Sequence, residues 1–371
     1  MTLTPITTDS YSLIRGCALF ADRRAPASSP RYFLGTIDRV AAVTSAFQRT
    51  ALMQLAEGYD PLARVDASVR GELLHFLSSL TRIGLLNHSR RELYPAKRYL
   101  SETSSRDMAI KHLKERSAPE LAQAEWIDSY RDGGTTTVAG RSQFPIELVG
   151  RSRVITLLYS ILLASGVTRV RFADKHDNPT VTSLDIGFGA LTENDLGLNY
   201  YQTLEERRRA LSLFPIESDV RFDNDLSKPL LTVHYGPCDA EQIIEWAQAR
   251  KPYLLIHEPI GDEVAIGPLV IPAESPCIRC LSLYEIDNWG FTRLEKIDLT
   301  PIGDLPAAAA HYVAAIAASQ ILHFIDASTA DTEHEVSRNM SVGEVTYINL
   351  QRLTEPQVVA IARHPLCGCD R

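Results

Sequence analysis

Apolar positions change period several times along the chain, and each change marks an element. Tyr32-Phe33-Leu34-Gly35 is a short strand-like run. From Val40 to Leu55 the apolar residues Val43, Phe47, Leu52 and Leu55 fall at helical spacings. Leu73, Leu74, Phe76, Leu77 and Leu80 form a second helical face that runs into Ile83-Gly84-Leu85-Leu86. A glycine followed by an apolar pair predicts a helix C-cap leading into a strand. Asp132-Gly133-Gly134-Thr135-Thr136-Thr137 reads as a loop.

After Phe144 the rhythm shortens. Ile146-Glu147-Leu148-Val149 predicts a strand closed by Gly150, Val154 to Ser165 an apolar helix closed by Gly166, and Arg169 to Phe172 a second strand with Asp174 beyond its end. Leu230–His234, Tyr253–His257 and Val264–Ile271 read as further strands, with a helix over Asp239–Arg250. Strands alternating with helices predict an α/β fold with a Rossmann-like, doubly wound parallel sheet. The expected organisation is three-part. Residues 1–88 form a winged-helix-like or other small α+β domain, 89–145 an interdomain region, and 146–371 the sheet domain.

Charge and composition narrow the function. Apolar residues are 45% and charged residues 23% of the 371, which excludes a disordered or fibrous chain. A net charge of −8 argues against a coat for phosphate backbones, so nucleic acid is not the expected partner. Within residues 89–117, however, eight Lys or Arg face four acids. The start of the chain lacks a secretory signal, and the Ala-rich stretch Ala307–Ile325 carries His311, Ser319, Gln320 and His323. It is expected to be a buried helix in a cytoplasmic protein with no membrane span.

Four of the six cysteines stand in two tight pairs, Cys277/Cys280 and Cys367/Cys369, with Cys17 and Cys238 alone. A Cys-x-x-Cys pair can chelate metal, cycle as a redox couple, or be a coincidence. Two chelating pairs satisfy tetrahedral zinc with no open position, so the expected site is structural zinc on four cysteines. His364 is a weaker candidate ligand. Cys238 is expected to be a buried or incidental thiol. His234, His257 and His311 carry no spacing signature.

The segment "GPLVIPAESPCIRCLSL", a long Ala-rich helix and a closing "HPLCGC" together resemble the ThiF/MoeB superfamily, adenylyltransferases related to ubiquitin-activating enzymes. The likeness covers about residues 146–371 and is closest to the ThiF-like leader-peptide-binding proteins of azole-forming peptide biosynthesis. That resemblance implies a small peptide-clasp domain before the ThiF-like domain. It also implies a ribosomal precursor peptide and a YcaO-type cyclodehydratase as partners, and a homodimer.

The resemblance makes Gly150 and Asp174 the remnants of a nucleotide site. The family's G-x-G-x-x-G phosphate loop is here Gly150-Arg151-Ser152-Arg153-Val154-Ile155, with one glycine left. Asp174 matches the ribose-binding acid. The "SNLxRQ" element is replaced by Ser183-Leu184-Asp185-Ile186-Gly187-Phe188, and the lysine expected after Asp195-Leu196-Gly197-Leu198 is missing. The metal-binding "DxxD" turn is reduced to a displaced Asp239. Phosphoryl chemistry depends on positioning and charge neutralisation, so the combined losses cast doubt on ATP. The reading is a noncatalytic scaffold that holds a precursor peptide. Its alternatives are an active adenylyltransferase using Arg151 or Arg153 as phosphate ligands, and a DNA-binding regulator.

Overall fold

A computed structural model of the chain describes residues 11–26, 28, 30–63, 65–88, 103–127, 132–173, 179–214, 231–296, 303–329 and 341–369. The chain divides into two compact units, 1–139 and 140–371.

The first unit opens with strands β1 (Tyr11–Leu13), β2 (Ala18–Ala21), β3 (Tyr32–Gly35) and β4 (Val40–Val43). Helices α1 (Ala46–Ala56) and α2 (Ala67–Arg82), strand β5 (Leu86–His88) and helix α3 (Thr103–Ile127) follow. β2, β3 and β4 form an antiparallel meander, while β1 pairs antiparallel with β5. Val40–Val43 is thus a strand, not the first turn of a helix. Helix α1 starts only at Ala46, because Ser45 caps it by accepting from the Gln48 N–H. The α2 terminus follows the pattern that Ile83-Gly84-Leu85-Leu86 predicts. Gly84 has φ +76°, its N–H donates to the Thr81 carbonyl, and the Leu85 N–H donates to the Leu80 carbonyl, a Schellman cap. Leu34, Val43, Leu52, Leu55, Leu73, Leu77 and Leu80 close the core between meander and helices.

Asp132 accepts from the backbone N–H groups of Thr135 and Thr136 and so begins helix α4 (Thr135–Arg141). The threonines expected in a loop are therefore helical, because an acid two residues before the N-cap supplies acceptors for the first-turn N–H groups.

The second unit continues with β6 (Pro145–Val149), α5 (Arg153–Ala164), β7 (Arg169–Phe172), α6 (Tyr200–Leu211), β8 (Leu231–Tyr235), α7 (Ala240–Gln248) and β9 (Tyr253–Ile256). Then come β10 (Glu263–Val270), α8 (Ile278–Trp289), α9 (Ala307–Thr329), β11 (Glu344–Asn349) and β12 (Gln357–Ala360). The seven strands form one sheet in the order β12-β11-β10-β9-β8-β6-β7. Its β7-β6-β8-β9 half is parallel, and the fold is mixed α/β as expected. The β9-β10-β11-β12 half is antiparallel, which corrects the all-parallel expectation. Between β9 and β10 the cause is local: residues 257–262, closed by a turn at Ile260–Glu263, are too few for a crossover.

Helix α9 is the one helix among the described residues that is long and apolar enough to cross a membrane. Ala310, Val313, Ala314, Ala317, Ile321 and Ile325 are all buried against the core shared with α5. Its small residues allow that close packing. The Asp326 carboxylate takes two hydrogen bonds from Arg141, at 2.8 and 2.7 Å, in a pair that is 1% and 5% exposed.

Candidate functional site

Four sulfurs converge beside the antiparallel half of the sheet. Cys277 is the N-cap residue of α8 and Cys280 sits in its first turn, so the three-residue spacing puts both on neighbouring positions of the helix start. Cys367 and Cys369 flank Gly368, whose φ of +73° turns the backbone after β12. Cys277 and Cys367 sulfurs are 3.3 Å apart, Cys280 and Cys369 3.5 Å, and all four lie within 4.8 Å of one another. Four thiolates around a tetrahedral ion at about 2.3 Å stand about 3.8 Å apart, so the spacings fit one metal ion.

Electrostatics points the same way. Burial and the neighbouring thiols push Cys367 far above the ordinary thiol range and Cys369 up to about 11. Against its own burial, Cys280 is held below that range, helped by the His364 backbone N–H at 3.4 Å. Thiols this close ionise together only around a cation. His364 contributes through its backbone, and its ring is committed elsewhere. One ring nitrogen bonds Asp287 at 3.0 Å and the other accepts from the Leu366 N–H at 3.2 Å.

Glu285 fixes the far end of α8. It is fully buried and accepts from the Thr292 hydroxyl at 2.8 Å, the Arg293 N–H at 3.0 Å and the Arg293 guanidinium. These bonds lock the helix that carries the first cysteine pair.

The second candidate is the crevice at the carboxyl ends of β6 and β8, where the strand order reverses and open α/β sheets take ligands. Gly150 sits there with φ +103°, and a Cβ on it would stand 2.6 Å from the Tyr235 carbonyl oxygen. Close approach of β8 therefore requires glycine at this position whether or not phosphate binds. Asp174 lies outside the described residues.

Arg151 and Arg153, expected as phosphate ligands in the adenylyltransferase alternative, are committed to the protein. Arg151 pairs with Asp185, donates to the Thr180 carbonyl at 2.9 Å and lies 5.1 Å from the Tyr200 ring centroid. Arg153 donates to the Leu184 and Leu305 carbonyls, each at 3.0 Å, and covers Phe188 at 4.4 Å. Asp195 closes a capping box with Thr192 and pairs with Arg207, and Asp239 caps α7 by accepting from Gln242.

Sequence reasoning missed the group that matters most here, Asp304. Its carboxylate accepts from the Arg153 backbone N–H at 2.9 Å, at the start of α5. A helix N-terminus prefers an anion. In this chain the anion is the protein's own, delivered from 151 residues away. No local pattern announces such a contact. Glu258 adds a second carboxylate, paired with Lys296 at 3.2 Å. Burial first, then Asp304 and Glu258, raise the Tyr235 hydroxyl well above its ordinary range.

The lone thiols, His257 and His311 do not join either site. Cys238 is pushed up to about 12 by burial and Asp239, and burial also raises Cys17, so neither is an activated thiolate. His311 is exposed on α9 and bonds the Ala307 carbonyl. His257 is buried, bonds the Gly267 carbonyl at 2.9 Å and is pushed down to about 3 by burial, then Arg293. It stays neutral in the fold while an unfolded chain would take up a proton below about pH 6.5. Between those values the unfolded state binds more protons, so stability falls with falling pH by up to about 1.4 kcal/mol per pH unit from this group. We expect the urea midpoint to drop from pH 7 to pH 5, and to drop less in His257→Gln.

No protein-family model matches the chain, and no curated protein matches it by sequence. Its structure does match. E. coli MccB with MccA-N7isoASN superposes with a TM-score of 0.59 at 15% identity, covering 97% of this chain and 99% of that one. E. coli MccB with ATP gives 0.59 at 13% identity with the same coverage. PaaA gives 0.60 at 13% identity, covering 94% of this chain and 99% of that one. Another MccB structure, described as a microcin C7 biosynthetic enzyme, holds N-formylated MccA. The chain thus shares the fold of MccB and PaaA along nearly its whole length.

Proposed function

We propose that this protein is a peptide-binding ThiF-like scaffold without ATP chemistry of its own. In this reading the winged-helix-like first unit holds a ribosomal precursor peptide. The second unit forms the homodimer contact and presents the peptide to a YcaO-type cyclodehydratase in the cytoplasm. Zinc on Cys277, Cys280, Cys367 and Cys369 is structural. A closed four-sulfur site leaves no position for substrate, so its part is to hold the turn after β12 against α8.

The observation that carries the loss of ATP chemistry is the Asp304 carboxylate on the Arg153 N–H. A nucleotide phosphate would have to displace it, with both loop arginines already engaged. Whole-chain likeness to MccB, which has been crystallised with N-formylated MccA, supports the peptide side of the reading.

Isothermal calorimetry of zinc-loaded protein with ATP and magnesium should show no binding. A micromolar dissociation constant would overturn the scaffold reading in favour of adenylation, which the ATP complex of MccB favours. That second reading predicts ATP–pyrophosphate exchange with a peptide carboxylate, lost in Asp174→Ala.

A further inference from the structure

Two adjacent residues ahead of the second cysteine pair reach back to both sides of the first. The Arg363 guanidinium donates to the Ala273 carbonyl at 2.6 Å, four residues before Cys277. The His364 ring bonds the Asp287 carboxylate at 3.0 Å, seven residues beyond Cys280 on α8. Between these two points the His364 N–H donates to the Cys280 sulfur at 3.4 Å. The tail is thus tied to the segment that carries the first pair at three places, and two of the three involve no sulfur.

Local sequence fixes the posture of His364. Pro365 disfavours helical backbone at the residue before it, and its fixed φ suits the second position of a turn. That turn is closed by the Cys367 N–H on the His364 carbonyl at 2.9 Å. On the ring, Nδ1 accepts from the Leu366 N–H at 3.2 Å. The ring proton therefore sits on Nε2 and is donated to Asp287. The Asp287 side chain is 64% exposed, so core packing does not call for this contact. The Arg363 contact also has a local reason. Ala273 adopts φ +70°, a costly conformation for a residue with a Cβ, and it persists only where its surroundings hold it.

We propose that Arg363 and His364 are positioning residues of the metal centre, a clamp that sets how slowly the ion leaves. The inference rests on the zinc reading above and concerns how that zinc is retained. An ion escapes from two chelating pairs when one pair swings away. A tail tied to Ala273 and Asp287 keeps Cys367 and Cys369 at high effective concentration, so a broken metal–sulfur bond re-forms before the next one breaks. Loss of outer contacts of this kind costs about 10–100-fold in metal affinity.

The test uses the full zinc-loaded chain, with release followed by a chromophoric chelator in excess. Asp287→Ala and His364→Ala should each release zinc about tenfold faster or more, and Arg363→Ala should also release it faster. Asp287→Asn keeps an oxygen acceptor for the Nε2 proton and should release zinc near the wild-type rate. Asp287→Ala with His364→Ala should be no faster than the faster single variant, since both remove one contact. Cobalt(II) loaded in place of zinc should keep its sulfur-to-metal absorption in every variant. That absorption should shift in His364→Ala, where the N–H on the Cys280 sulfur is loosened. Circular dichroism checks each fold, and the exposed positions Asp287 and Arg363 carry the test if His364→Ala does not fold. Release at the wild-type rate in every folded variant would overturn the clamp and leave the zinc centre standing. Release as fast in Asp287→Asn as in Asp287→Ala would overturn the hydrogen bond as its cause. A folded wild-type chain that takes up no zinc would overturn both the clamp and the zinc centre.

Discussion

Removing the metal from the four-cysteine centre, or replacing Cys280 with serine, is expected to lower the thermal midpoint by roughly 8–16 °C. A metal that binds only the folded state adds about 4 kcal/mol when present at a thousand times its dissociation constant. For a unit of this size each kcal/mol moves the midpoint by about 2–4 °C. Metal analysis should find one zinc per wild-type chain and close to none in Cys280→Ser. Zinc returned to the chelated wild type should restore the midpoint, and zinc added to the variant should not. The effect is large because the centre joins α8 to the turn after β12 across 90 residues. A wild-type chain that binds no zinc and keeps its midpoint in chelator would refute the structural zinc site.

Arg141 and Asp326 should show a comparably large effect of a different kind. Both are buried, and both guanidinium–carboxylate contacts are short. Arg141 also donates to the Ser165 carbonyl at 3.1 Å, so the pair ties α4, the end of α5 and α9 together. Asp326→Ala leaves a guanidinium buried without its counter-charge, at a cost of about 3–5 kcal/mol. Replacing both residues with apolar ones, Arg141→Met with Asp326→Leu, removes the stranded charge and should recover most of that loss. Urea titration of the two single variants and the double variant measures the coupling directly. Additive losses would mean that the two groups do not act as a pair.

The alternation of strands and helices after Phe144 was readable because β6, α5, β8 and β9 are buried nearly throughout, and buried elements are apolar along their whole length. The four-cysteine cluster was readable because chelation demands short spacings inside each pair, and short spacings survive in a linear string. Three things were not. The Val40–Val43 strand has the same residues as a helix start, and only the Ser45 cap separates them. The antiparallel pairing of β9 with β10 depends on the length of a single connection. Asp304 is an ordinary acid in sequence, and its meaning comes wholly from a partner on α5 that folding brings to it. Gly150 stood out as the last glycine of a phosphate loop, and the contact that requires glycine there is the Tyr235 carbonyl.

The two halves of the metal centre are also separated in time. Cys369 follows Cys280 by 89 residues. At ribosomal rates of about 5–20 residues per second, the second pair emerges roughly 4–18 s after the first. During that interval Cys277 and Cys280 form a bidentate dithiol whose partners do not yet exist. Such a pair can close on itself as a disulfide or take up a softer metal such as copper(I). On the zinc reading, the yield of correctly assembled protein depends on the thiol redox state and free zinc of the cell that makes it.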